Sequence, residues 1–161
     1  VHKYDAERNY LFSFGGLGSE RGQMRTPHGL VMDTRGEEPV LIVCDRENQR
    51  LQTFDMKGQC TGVYKGDLRR PCSASIWGKY LAVADLAGRV TIMDEKFKLV
   101  GHLGDNPDPK RRAVNGVPLD QWKNGEFLSP HGISWGSDGS LYVQDWNRLG
   151  RVTKLKALGK R

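Results

Sequence analysis

Apolar residues in this chain come in short runs, and polar turns interrupt them. Runs such as LIVCD (41–45), LQTFD (51–55), LAVAD (81–85), VTIMD (90–94) and LYVQD (141–145) are rich in β-branched and aromatic residues. Clusters of Gly, Asp, Asn and Lys separate them. Few stretches carry a helical period, and alternation bounded by turn residues predicts strands joined by hairpins. The 20 glycines among 161 residues agree with many turns.

The runs recur in a fixed order, which makes the chain a repeat. Three segments start at Pro27, Pro71 and Pro130. Each opens with Pro and one polar or small residue, then an apolar run, a turn, and a second run ending Val-x-Asp: Val43/Asp45, Val83/Asp85 and Val143/Asp145. Each then reaches an Arg followed by an aliphatic residue: Arg50-Leu51, Arg89-Val90 and Arg151-Val152. The first two segments add a fourth run, TGVYKG (61–66) and LVGHLG (99–104).

Four short antiparallel strands in units of roughly 40 to 50 residues match a β-propeller blade. The predicted class is therefore all-β, a β-propeller with blades of four antiparallel strands. The expected units are the outer strands of one blade (1–16), a blade (27–66), a second blade (69–104), a long insertion loop (105–129) and a last, incomplete blade (130–158). Residues 2–16 align with 52–66, so the chain is expected to enter in mid-blade. This suggests one partial domain, the C-terminal part of a longer propeller. A small oligomeric propeller whose chains complete each other is the alternative. The insertion is polar and rich in Pro and Gly, as functional or mobile loops often are. Its PLDQWKNG stretch (118–125) could form one helical turn.

Composition narrows the picture only a little. The chain has 37% hydrophobic and 27% charged residues, the balance of a globular protein. No run approaches the roughly 18 apolar residues of a membrane span. Three cysteines without Cys-x-x-Cys spacing indicate neither a disulfide framework nor a zinc knuckle, and leave the compartment open. The formal charge of +6 is concentrated in Lys110-Arg111-Arg112 and in Lys154, Lys156, Lys160 and Arg161. No aromatic residues interleave with these clusters, so they read as a solvated loop and terminus, not a nucleic-acid surface.

Candidate chemistry follows from the repeat phase. The innermost strand of each blade lines the central channel, so the residue just before it sits at one channel mouth. His28, Cys72 and His131 hold that place on three successive units. Histidines on alternate blades of a six-bladed ring would converge on the axis, and imidazoles with an open position are the form of a catalytic zinc site. The competing reading makes Pro-His-Gly a turn formula and Cys72 a small buried thiol. The recurring Asp45, Asp85 and Asp145 read as devices that satisfy backbone N–H groups. Trp77, Trp135 and Trp146 are expected between blades. His2 and His102, in outer strands, are poor ligand candidates.

PHGLVMD (27–33) followed by LIVCDRENQRLQTFD (41–55) resembles six-bladed NHL-repeat propellers. More narrowly, it is similar to the peptidyl-α-hydroxyglycine α-amidating lyase family. SPHGISWGSDGSLYVQDWNRLGRVTKL (129–155) resembles that lyase's last Pro-His blade. The resemblance is good over 27–54 and 129–155 and poor in the middle blade. It makes this chain about half of a six-bladed ring. It implies zinc bound by His28 and His131, with a first zinc histidine, a catalytic tyrosine and a carboxylate-binding arginine upstream. It also implies a role for Arg46 near the substrate.

Two departures matter. The family's calcium-binding aspartate is replaced by Gly132, which argues against an axial calcium. Gln49 stands where the family has glycine, which changes the hairpin turn. The implied activity is cleavage of a C–N bond to give a peptide amide and glyoxylate, on a small peptide or small-molecule substrate at the channel mouth. The alternative is a non-catalytic propeller that binds a protein, peptide or nucleic acid. For Arg46, a surface salt bridge to Asp45 or Glu47 competes with a role at the site. A secreted or periplasmic location follows from the resemblance alone.

Overall fold

The computed structural model describes residues 1–157. The end of the last expected unit, at 158, and the tail cations Lys160 and Arg161 lie outside the described residues. The strands are β1 (His2–Tyr4), β2 (Tyr10–Ser13), β3 (Pro27–Asp33), β4 (Val40–Asp45), β5 (Arg50–Phe54), β6 (Cys60–Tyr64), β7 (Pro71–Trp77), β8 (Tyr80–Asp85), β9 (Arg89–Met93), β10 (Leu99–Leu103), β11 (Pro130–Trp135), β12 (Leu141–Asp145) and β13 (Arg151–Leu155). They form four sheets: β1–β2, β3 to β6, β7 to β10 and β11 to β13. Neighbours in sequence are neighbours in the sheet, all pairs are antiparallel, and hairpins join them. This is the all-β blade architecture of a propeller.

The core lies between the sheets. One apolar layer joins Ile42, Cys44 and Leu51 of the second sheet to Ala74, Leu81, Val83 and Met93 of the third. A second joins Ala82, Val90 and Ile92 to Leu141 and Val143. A third packs Phe14 against Val43 and Phe54. β4 and β8 are covered on both faces, which is why VLIVCD and YLAVAD are almost continuously apolar instead of alternating; β5 and β9 are as deeply buried but also carry polar residues, Arg50, Gln52 and Thr53 in one and Arg89 and Thr91 in the other. The first strands of successive blades abut, β3 against β7 and β7 against β11. Trp77 and Trp135 stack at 5.6 Å between the last two sheets. Trp135 also donates from its backbone N–H and indole Nε1 to Ser75.

The recurring Asp–Arg pair fastens each blade to the segment that leads into it. Asp45, Asp85 and Asp145 are fully buried. Each carboxylate accepts from backbone N–H groups one or two residues before the blade-opening proline: Arg25 for Asp45, Arg69 and Arg70 for Asp85, and Leu128 and Ser129 for Asp145. Each also pairs with the arginine that opens the third strand: Arg50 at 2.6 Å, Arg89 at 3.4 Å and Arg151 at 2.6 Å. Those guanidinium groups reach on to carbonyls of the incoming segment, among them Ser19, Asp67 and Glu126. The structure thus bears out the N–H-satisfying role expected of the aspartates. It adds the arginine partner, whose recurrence was visible and whose job was not.

The insertion is tied down. It holds two single turns of 3-10 helix, Pro109–Arg111 and Leu119–Gln121, the second inside the stretch expected to make a helical turn. Buried Asn106 donates to the Phe127 carbonyl, and Trp122 Nε1 to that of Val117. Arg111 pairs with Asp108 and Glu126, and Arg112 Nε donates to the Asn106 carbonyl. Two of the three cations in that basic run are therefore engaged within the loop. Among the described residues, no helix is long and apolar enough to cross a membrane.

Candidate functional site

The mouth is built by the same irregularity in each blade. The opening prolines pair with the aspartates (Pro27 with Asp45, Pro71 with Asp85, Pro130 with Asp145), and the register shifts immediately afterwards. A bulge re-aims the side chains it contains. His28, Cys72 and His131 sit in these three bulges. They are the second residues of β3, β7 and β11, one step inside the strand and not before it.

The three side chains meet. One ligand atom from each of His28, Cys72 and His131 lies within 4.8 Å of the other two. The imidazoles stand edge to face with centroids 4.6 Å apart. His28 Nδ1 is 3.0 Å from the Cys72 carbonyl oxygen. A carbonyl only accepts, so Nδ1 carries the proton and Nε2 keeps its lone pair. Burial lowers the pKa of His131, and the neighbouring His28 and Arg46 push it the same way. Cys72 is fully buried, and burial raises its thiol pKa. The nearby cations Arg46 and Arg70 oppose that rise.

Pro-His-Gly needs its glycine in one place only. A Cβ on Gly29 would lie 2.3 Å from the Cys72 carbonyl oxygen and 2.9 Å from Ser73 Cα, because β7 crosses close against the bulge. A Cβ on Gly132 would meet nothing nearer than Gln144 Oε1 at 3.4 Å.

The Asp-Arg-Glu-Asn string splits by direction. Asp45 and Asn48 serve the scaffold, Asn48 Nδ2 donating to the Asp45 carboxylate and the Gly18 carbonyl. Arg46 and Glu47 serve the mouth. Glu47 accepts from Arg46 Nε at 3.0 Å and from Arg70 Nη2 at 2.6 Å, while Arg46 also reaches Cys72. The salt bridge weighed for Arg46 is thus made to Glu47, and Asp45 belongs to Arg50. Gln49 does not remove the turn. It adopts the left-handed conformation, φ 54°, that suits a glycine.

Trp146 departs from expectation. It is not sandwiched between blades but half exposed, 6.2 Å from His131. It follows Asp145 as Arg46 follows Asp45, so the repeat phase could have placed it at the mouth. The same phase could have promoted Cys72, set aside because a buried thiol is usually inert. His2 and His102 lie in β1 and β10, bonded to Ser13 and Thr91, and neither belongs to the group of His28, Cys72 and His131.

No protein-family model matches the chain, and no curated protein matches it in sequence. Solved structures do. The chain is similar to selenomethionine-substituted virginiamycin B lyase from Staphylococcus aureus, with TM-score 0.60 and 12% identity over 96% of this chain and 47% of that one. It is similar to a streptogramin B lyase structure, with TM-score 0.59, 14% identity and the same two coverages. It also resembles Kuenenia stuttgartiensis hydrazine synthase, with TM-score 0.52 and 17% identity over 80% of this chain and 31% of that one. The chain spans about half the length of the two lyases. At these identities the likeness is one of fold. The fold is a β-propeller.

Proposed function

We propose that the channel mouth is the active site of a zinc-dependent lyase that cleaves a C–N bond in a small carboxylate-bearing substrate. The observation that carries this reading is the convergence of His28, Cys72 and His131 from three bulges onto one point. The donor set fits the metal: imidazole and thiolate are the nitrogen and sulfur ligands zinc takes. His28 and His131 would hold it, and bound zinc would lower the pKa of a substrate hydroxyl.

The chain's own residues contribute binding and orientation. The Cys72 carbonyl fixes the His28 ring with Nε2 free, as outer-shell partners of ligating histidines do. Burial lowers the pKa of His131 and so favours the neutral ring, the form that can ligate. Arg46 offers a planar cation for a substrate carboxylate, and Glu47 holds it in place against Arg70. On a peptide ending in α-hydroxyglycine the bookkeeping closes. The hydroxyl loses its proton and becomes a carbonyl. The C–N bond breaks, its electron pair goes to the amide nitrogen, and that nitrogen takes a proton. The products are a peptide amide and glyoxylate. That two of the similar structures are lyases supports the reaction class, and the resemblance of 27–54 and 129–155 to the amidating lyases supports the substrate. The Gly132 side, without a carboxylate, speaks against calcium.

The test is glyoxylate release from an α-hydroxyglycine peptide by the zinc-supplied full-length protein, with and without a chelator. Chelator-sensitive release is expected. A folded, zinc-loaded protein that releases nothing would overturn the lyase reading and leave a propeller that binds a partner without catalysis.

A further inference from the structure

We infer that the Cys72 thiol is the third ligand of the mouth metal, so that three blades of this chain supply two imidazoles and one thiolate. This rests on the reading above that a metal sits there. The geometry treats Cys72 as the equal of the histidines. It occupies the same bulge position in its blade, and its sulfur lies within 4.8 Å of their ligand atoms. The other two cysteines differ. Cys44 lies within the apolar layer between blades, and its thiol is pushed up by burial with no cation beside it among the groups that shift it. Cys60 hydrogen-bonds to the Gln52 side chain and the Gly62 carbonyl. Only Cys72 faces two imidazoles and a guanidinium.

Chemical consequences follow. A thiolate brings one negative charge that a third imidazole would not, so the metal's net charge falls by one and its Lewis acidity with it. The Arg46 cation, whose charge favours the ionised thiol, offsets that charge. Sulfur also biases the site toward softer ions over magnesium or calcium, which prefer oxygen ligands. The histidine that the family resemblance places upstream is then not needed to complete a three-ligand set.

The experiment is cobalt(II) reconstitution of the metal-free full-length protein, read by absorption, with zinc affinity measured by competition. We expect one equivalent of cobalt and a near-ultraviolet thiolate-to-cobalt charge-transfer band. Cys72→Ser should lose the band and weaken zinc binding roughly 100-fold or more, since even outer-shell partners are worth roughly 10- to 100-fold. The wild-type spectrum answers by itself should the variant fail to fold. Cobalt bound without the band, with zinc affinity unchanged in Cys72→Ser, overturns the thiolate ligand and leaves the metal reading standing. A folded wild-type protein that binds neither ion overturns both.

Discussion

Two positions recur in phase through this chain, and the structure uses them oppositely. The aspartate that ends the second strand is the same residue in every blade: Asp45, Asp85, Asp145. It is fully buried, and it meets the same partners each time. The residue after the opening proline changes from His28 to Cys72 to His131, and these side chains face one another across the mouth. The constant position solves a problem each blade has separately, the satisfaction of N–H groups at its entrance. In the proposed metal site the varied position differs because each blade contributes its own ligand. In this repeat the constant residue is scaffold, and the varied one is where the proposed chemistry lies.

Substitutions sharpen that contrast. The largest stability loss is expected at Asp45→Ala, which strands the Arg50 charge in the interior; breaking a buried pair costs about 3–5 kcal/mol, read by chemical denaturation. Gly29→Ala should come next, at about 1–3 kcal/mol of overpacking, because its Cβ would press on the β7 backbone. At the mouth the order of effects inverts. His131→Ala should change stability by no more than about 1 kcal/mol, while zinc affinity in equilibrium dialysis falls by roughly 100-fold or more, by the argument given for a ligand. A large unfolding effect with zinc binding intact would reverse the assignment. Gln49→Gly should stabilise slightly. The left-handed backbone costs a non-glycine residue about 1–2 kcal/mol, and glycine's added chain entropy returns about 0.5–1 kcal/mol of that. Gly132→Ala should be the smallest, within about 0.5 kcal/mol, and a loss matching Gly29→Ala would show that the two Pro-His-Gly strings share one steric cause.

Much of this was legible in the sequence. Strand order and blade phase follow from Pro, Val-x-Asp and Arg-aliphatic recurring in order, because each marks a fixed point of the strand ladder. The alignment of His28, Cys72 and His131 is legible for the same reason. Convergence of the two histidines follows from the repeat phase as well, but the bulge that brings it about, and the place of Cys72 beside them, are not announced by strand patterning. The Asp–Arg pairing was hidden differently: both residues were in plain view, but four to six residues apart across a hairpin, where spacing alone does not decide what a charge meets. Trp146 was misplaced because an aromatic residue in a repeat is ordinarily core. The tight fit of Gly29 against β7 depends on how close two blades approach, a tertiary quantity with no local sequence sign.

The Asp–Arg fastener also has an evolutionary reading. Asp45 and Arg50 hold residues 20 to 31 positions earlier in the chain, the segment that leads into their own blade. Asp85 with Arg89, and Asp145 with Arg151, do likewise. No fastener reaches a neighbouring blade's strands. A stretch of gene covering one entrance segment and its three inner strands therefore carries the buried Asp–Arg pair together with the groups it binds. Copying or deleting it disturbs the apolar layers and a few hydrogen bonds between blades, such as those of Trp135 with Ser75 and Arg35 with Lys79, but strands no Asp–Arg charge, and apolar contacts tolerate exchange far better than buried charges do. The costliest polar pairing stays within each copy, which suits a fold made by repeating its blades.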